Sequence, residues 1–291
     1  MNHPRRILSI GVLAALLCFP GKSLAQDTLR FAWITDLHFG KRDHEGEILA
    51  PDVWLRHSLL RISSSGTNFI FLGGDIIESS NDTAQYALFD SAMKTAVPWY
   101  PMPGNHDIGT DPSSIRMDKI NAWIGRGYGR GDHNREFYGL AFGGLAAFFV
   151  LNTQAPVSND PAVFARADQQ LAEMDSFFTV HGSARQKFVC SHVPIFVQTQ
   201  EEADAYFNIP TAYRKRILAL MHKHGVKTYL AGHRHENGVA RSGGITVFSN
   251  TALSFQLGTD KRRGYNAFTV TPDTVMRQFV PLDAAEGSEG N

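Results

Sequence analysis

Pro101-Met102-Pro103-Gly104-Asn105-His106-Asp107 is the stretch around which this chain is organised. The apolar run Val97 to Tyr100 leads into it, and an amide, an imidazole and a carboxylate follow a single glycine. Glycine suits a turn whose backbone must take positive φ or come close to a ligand. An asparagine carbonyl is a neutral hard donor, useful in a metal cluster that already carries enough negative charge. Taken alone, Asn-His-Asp is also an ordinary turn. Its meaning depends on what the rest of the chain brings beside it.

Four other apolar runs end in the same manner. Leu29 to Thr35 reads as a buried strand closing on Asp36-Leu37-His38; on an extended segment side chains two apart point the same way, so Asp36 and His38 converge while Leu37 turns inward. Phe69 to Leu72 ends in Gly73-Gly74-Asp75, where a carboxylate straight after four apolar residues is costly to bury unless a cation meets it. Lys187 to Ser191 ends in His192, and Lys227 to Ala231 in Gly232-His233-Arg234-His235. Ligands of α/β sheets gather at the carboxyl ends of strands. Core histidines scattered for packing would not fall on that edge repeatedly. Imidazoles with carboxylates and one amide favour Zn, Mn or Fe over calcium, and the lack of thiolates argues against a structural zinc knuckle.

Between these runs the periodicity predicts helices over Asp52 to Ser64, Asp82 to Lys94 with Asp82 as cap, Ala162 to Phe178, and Thr211 to His224 closed by Gly225. Phe137 to Thr153 is β-like, and Ile245 to Asn250, Tyr265 to Thr271 and Thr274 to Leu282 read as strands of a second sheet. Ile108 to Arg135, with alternating glycines and arginines, reads as a long loop facing the site or the solvent.

The ordered set Asp-x-His, Gly-Asp, Gly-Asn-His-Asp, His and Gly-His-x-His resembles the calcineurin-like metallophosphoesterase superfamily from about Leu29 to Leu282. That resemblance implies an α/β fold of four layers, a central β-sandwich of two mixed sheets flanked by helices. It implies two divalent metal ions, one held by Asp36, His38 and His235, the other by Asn105, His192 and His233, with Asp75 bridging. His106 would be the non-ligand histidine beside the phosphate. Glu78 occupies the position at which purple acid phosphatases, a branch of the superfamily, carry an iron-binding tyrosine, so the metals are expected among Mn, Fe and Zn without a tyrosinate centre. Gly232 to Asn237 and Ser254 to Gly258 look like the branch of calcineurin-like phosphoesterase domain-containing protein 1, whose members are phosphoprotein phosphatases. Ile34 to Phe39 is equally similar to class III cyclic-nucleotide phosphodiesterases.

The expected activity is hydrolysis of phosphate esters, monoesters before diesters, by in-line attack of a metal-bridging hydroxide; the alternative is a phosphodiesterase of the cyclic-nucleotide or glycerophosphodiester type. Two divalent ions against two carboxylates and one hydroxide leave a cluster charge near +1, suited to a phosphate anion. The expected substrate is a phosphorylated small molecule or a phosphoprotein.

Residues 1–25 read as a signal peptide: basic Arg5 and Arg6, an apolar run from Ile7 to Phe19 too short to span a bilayer, and Ser23-Leu24-Ala25 before the cut. Bulky Leu17 before Cys18 argues against a lipid anchor, so a soluble exported protein, periplasmic or extracellular, is expected. Cleavage removes Arg5, Arg6 and Lys22 and no acids, leaving 25 basic against 28 acidic residues. That balance offers no nucleic-acid footprint. The expected domain runs over residues 26–283, ahead of a small polar tail at 284–291 that should fray. Cys190, the one cysteine beyond the leader, lies in an apolar run and reads as a buried inert thiol.

Overall fold

The computed structural model describes residues 27–46, 49–128 and 135–282. The leader, the C-terminal tail and the centre of the glycine-arginine segment lie outside the described residues.

Strand β1 (Leu29–Ile34) shows how the layers arise. Alternate residues of a strand face opposite sides of its sheet. Phe31 and Trp33 join a core that also holds Phe148, Phe188 and Leu230 from the other sheet, whereas Ala32 and Ile34 join the core that packs helices. β2 (Phe69–Leu72) repeats the pattern, with Phe69 and Phe71 inward and Ile70 and Leu72 outward. Being buried on both faces, these strands carry unbroken apolar runs.

β1, β2 and β3 (Trp99–Pro101) are parallel, and β10 (Gly264–Val270) and β11 (Val275–Pro281) extend the sheet antiparallel in the order β11-β10-β1-β2-β3. The second sheet follows the order β4-β5-β6-β7-β9-β8. Its parallel centre is β5 (Ala146–Leu151), β6 (Gln186–Ser191), β7 (Thr228–Ala231) and β9 (Ile245–Ser249), and β4 (Tyr138–Phe142) and β8 (Gly238–Ser242) are antiparallel edges. Aromatic rings join the sheets: Phe31 meets Phe148 edge-on at 5.3 Å, and Phe148 stacks on Phe188 at 4.4 Å. Helices α1 (Pro51–Ser64) and α2 (Thr83–Ala92) pack together on the first side; α5 (Pro161–Val180) and α6 (Thr211–His224) do so on the other, with α5 over β4 and β5. The result is the expected helix–sheet–sheet–helix stack. Asp82 caps α2 through the amides of Ala84 and Gln85, and Gly225 ends α6 at φ 66°.

Two expectations need correction. The strand near residues 265–271 pairs with β1 and the one near 274–282 pairs with it in turn, so both belong to the first sheet, and only the strand near residue 245 joins the second. Pairing across more than 200 residues leaves no local trace in the sequence. The segment from Ile108 also contains α3 (Asn105–Ile108) at its start and α4 (Met117–Ile124) within it. The glycines masked a helical spacing that buries Ile120 and Trp123.

Candidate metal centre

β1, β2 and β3 end on one edge, β6 and β7 end on the facing edge, and every predicted site residue lies just beyond one of those ends. Asp36, His38, Asp75 and His235 bring their donor atoms within 4.8 Å of one another, and so do Asp75, His192 and His233. Asp75 belongs to both groups. Its Oδ2 lies 3.6 Å from His38 Nε2 and 3.2 Å from His192 Nε2. Asn105 Oδ1 joins the second group, 3.2 Å from His192 Nε2. All seven side chains are buried.

How they converge differs from the expectation of an extended Asp-x-His. Asp36, His38, Asp75, His233 and His235 all have positive φ, between 48° and 66°; among described non-glycine residues only Asn81 joins them. A left-handed residue costs roughly 1–2 kcal/mol. Five together approach the net stability of a whole domain, about 5–15 kcal/mol, so the conformation is held for the site and not for the fold. Cross-loop bonds hold it: Asp36 N–H donates to Gly74 O, His38 N–H to Asp75 O, and Ser254 Oγ to Asp36 O, at 2.8–3.0 Å. Gly104 explains the opening stretch. A Cβ there would run into the Asp75 carboxylate and backbone.

The donor set fits metal ions. Each imidazole gives its outer ring proton to an acceptor: His38 Nδ1 to Glu78 Oε2, His192 Nδ1 to Gly73 O, His235 Nδ1 to Phe255 O and His233 Nε2 to Tyr206 O, over 2.8–3.0 Å. The inner nitrogens are thereby left as lone pairs, the arrangement that orients ligating histidines. His38 and His235 face each other through Nε2 at 3.1 Å, and His233 Nδ1 faces His192 Nε2 at 3.2 Å. Lone pairs packed that closely beside two carboxylates require positive charge between them. The ionisation pattern places part of that charge on His192 itself. Burial pushes Asp36 up, but His235 and His192 outweigh it and hold the carboxyl down to about 2. Burial pushes His192 down, but Asp75 and Asp36 raise it to about 9, while burial and His192 drive its neighbour His233 down to about 4.

His106 stands apart from this set. Its side chain is 22% exposed, its backbone N–H donates to Asp75 Oδ1 at 2.8 Å, and its Nδ1 donates to Glu78 O at 2.7 Å. His38, Glu78 and His106 form a third cluster, but their facing atoms bond one another.

The profile of the calcineurin-like phosphoesterases matches residues 29–237, which carry all eight predicted site residues. The chain belongs to that family. It is 28% identical over 231 residues to the human serine/threonine-protein phosphatase CPPED1, spanning 74% of this chain and 68% of that one, and 26% identical to the zebrafish protein over 74% and 69%. In fold it is similar to a dimetal phosphatase from Danio rerio (TM-score 0.58, 13% identity, 86% of this chain and 98% of that one) and to GAP50 of Plasmodium (TM-score 0.60, 16% identity, 88% and 85%). The family is one of dinuclear-metal phosphoesterases, and the chain is by membership a metal-dependent hydrolase.

Two residues that support the centre carried no functional reading in the sequence. Glu78, noted there only as the departure from tyrosine, holds both His38 and Lys41 Nζ, the latter at 2.7 Å. Asp107 is fully buried and accepts from the amides of Ile76 and Ile77 on Oδ1 and of Gly104 on Oδ2, tying the Asp75 loop to the Asn105 turn. Burial, reinforced by the Asp75 charge, raises its pKa to about 7. Its place in Asn-His-Asp was visible; its inward direction was not. Cys190 is buried and free, and takes no part in the site.

Proposed function

We propose that the chain is a phosphomonoesterase with two divalent ions, drawn from Mn, Fe and Zn. Asp36, His38 and His235 would hold one ion and Asn105, His192 and His233 the other, with Asp75 shared between them. The observation that carries this is the position of Asp75 Oδ2 between His38 Nε2 and His192 Nε2. Ions bound there would polarise the ester and lower the pKa of water toward neutrality, from 15.7 to about 7.

The chain's own residues supply the rest. Glu78, Gly73, Phe255 and Tyr206 orient the four imidazoles, so that each turns its other ring nitrogen inward. His106, fixed through Nδ1, presents Nε2 to the departing oxygen, as a proton donor or charge-assisted hydrogen bond. Asp107 keeps the two loops in register.

Likeness to phosphatases named for serine and threonine supports a monoester substrate, a phosphoprotein or a phosphorylated small molecule. Residues 1–25 support export to the periplasm or beyond. The test is turnover of a generic monoester and a generic diester by folded protein supplied in turn with Mn, Fe and Zn. Monoester turnover exceeding diester turnover with at least one metal is expected. The reverse ratio makes the chain a diesterase; no turnover with any metal removes the reading.

A further inference from the structure

His106 packs on His38 with ring centroids 4.7 Å apart, and on the other metal group Tyr206 packs on His233 at the same separation. Tyr206 is 65% exposed as a residue, yet groups of the buried metal centre act on its phenol. Burial and the Asp75 charge raise the phenol pKa, and the Asn105 side chain beside it lowers it, with smaller pushes upward from Asp36 and Glu78. Among the described residues no group accepts the phenol hydrogen. Asn105 Nδ2 is buried and makes no hydrogen bond of ordinary geometry. A cavity of about 160 Å³ opens beside both residues, with Thr153, Gln154, Asn208 and His233 as further polar wall. Among the described residues no Lys, Arg, Asp or Glu lines it.

We propose that Tyr206 is a substrate-binding residue whose O–H donates to a phosphoryl oxygen of the ester at the second metal group, while His106 serves the departing oxygen at the first. This rests on the phosphoesterase reading of the metal centre. A buried amide donor left without a partner is costly, and an oxyanion placed between Asn105 Nδ2 and the phenol would answer both donors. A phenol keeps its proton at neutral pH, so it adds a donor without adding charge to a wall that has none. A donor of that kind is strongest on an ionised oxygen. The segment between β6 and α6 holds the ring in place without using the hydroxyl. Tyr206 O accepts from His233 Nε2 at 3.0 Å, and the Ala205 N–H donates to Asn208 Oδ1 at 2.9 Å. Glu202 gathers the amides of Val197, Gln198 and Thr199, Asn208 Nδ2 donates to Glu202 Oε1 at 2.7 Å, and buried Arg214 donates to Glu202 O.

Tyr206→Phe removes the hydroxyl and keeps both the ring and the carbonyl that orients His233. Calorimetric titration of the metal-loaded protein with methylphosphonate, a phosphoryl mimic that cannot be hydrolysed, reads the lost bond. Affinity should fall about 10–100-fold, the worth of a hydrogen bond to a charged group. Metal affinity, followed by titration against metal buffers, should not change. Tyr206→Leu, which also removes the ring, should lose at least as much methylphosphonate affinity. A phenylalanine variant that binds methylphosphonate as tightly as the parent would overturn the role while leaving the metal centre standing. So would a loss in that variant matched by loss of metal, since the hydroxyl would then support the ions and not the substrate. A metal-loaded parent that does not bind methylphosphonate would count against the phosphoesterase reading itself and take this role with it.

Discussion

Glu78 accepts the Nδ1 proton of His38 across 2.8 Å, from the third residue after Asp75. Burial pushes the Glu78 carboxyl up, yet His38 and Lys41 hold it down to about 2, so it is a carboxylate whenever the site works. An acceptor behind a ligating histidine raises the basicity of the inner nitrogen and fixes the ring.

Glu78→Ala should therefore weaken metal affinity by about 10–100-fold, with a smaller loss in Glu78→Gln, which keeps an acceptor oxygen. Titration against metal buffers measures this. Unchanged affinity in the alanine variant would show that His38 is oriented by packing alone.

Asp107→Ala leaves the amides of Ile76, Ile77 and Gly104 buried without their partner. Each unmade buried bond costs about 1–3 kcal/mol, not additively, so Tm should fall by several degrees. Asp107→Asn keeps one acceptor and relieves repulsion from Asp75, so its Tm should lie closer to the parent. Scanning calorimetry orders the three proteins, and an alanine variant as stable as the parent would contradict this role.

The residues that converge at the strand ends were legible because their types and spacing recur after apolar runs, and a strand end followed by Asp, Asn or His needs no alignment to be seen. Local signals of element ends were legible too, as at Asp82 and Gly225. Other features depend on contacts distant in sequence. The pairing of β10 with β1 is fixed by register between Leu29 and Val270. The left-handed backbone at Asp36 and His38 is imposed by partners at Gly74 and Asp75, and no propensity announces it. Asp107 points inward because its carboxylate answers amides from another loop. Helix α4 was hidden by the glycines that follow it.

His106→Ala should lower kcat by about 10²–10⁴-fold with metal content unchanged, since the ring lies outside both metal groups. Parallel assays of turnover and bound metal separate the effects. Loss of metal together with activity would make His106 a ligand.

Glu202 gives a pH dependence. Burial raises its pKa, but the Val197 amide, the Asn208 side chain and the Gln198 and Thr199 amides outweigh burial and lower it. A carboxyl lowered in the folded state contributes order above its ordinary range and loses it as pH falls through the folded value. Amide-exchange protection at Val197, Gln198 and Thr199 should hold at neutral pH and decline only as pH falls below the ordinary glutamate range. In Glu202→Gln it should be weaker at neutral pH and show no such decline. Protection that is independent of pH in the parent would place the order of the loop elsewhere.

Two ions sharing Asp75 are the core of this account, and anomalous scattering from Mn-loaded crystals locates them most directly. The account predicts two peaks, one among Asp36, His38 and His235 and the other among Asn105, His192 and His233, with Asp75 in contact with each. A single peak at saturating metal, or two peaks with Asp75 bound to only one, would contradict it.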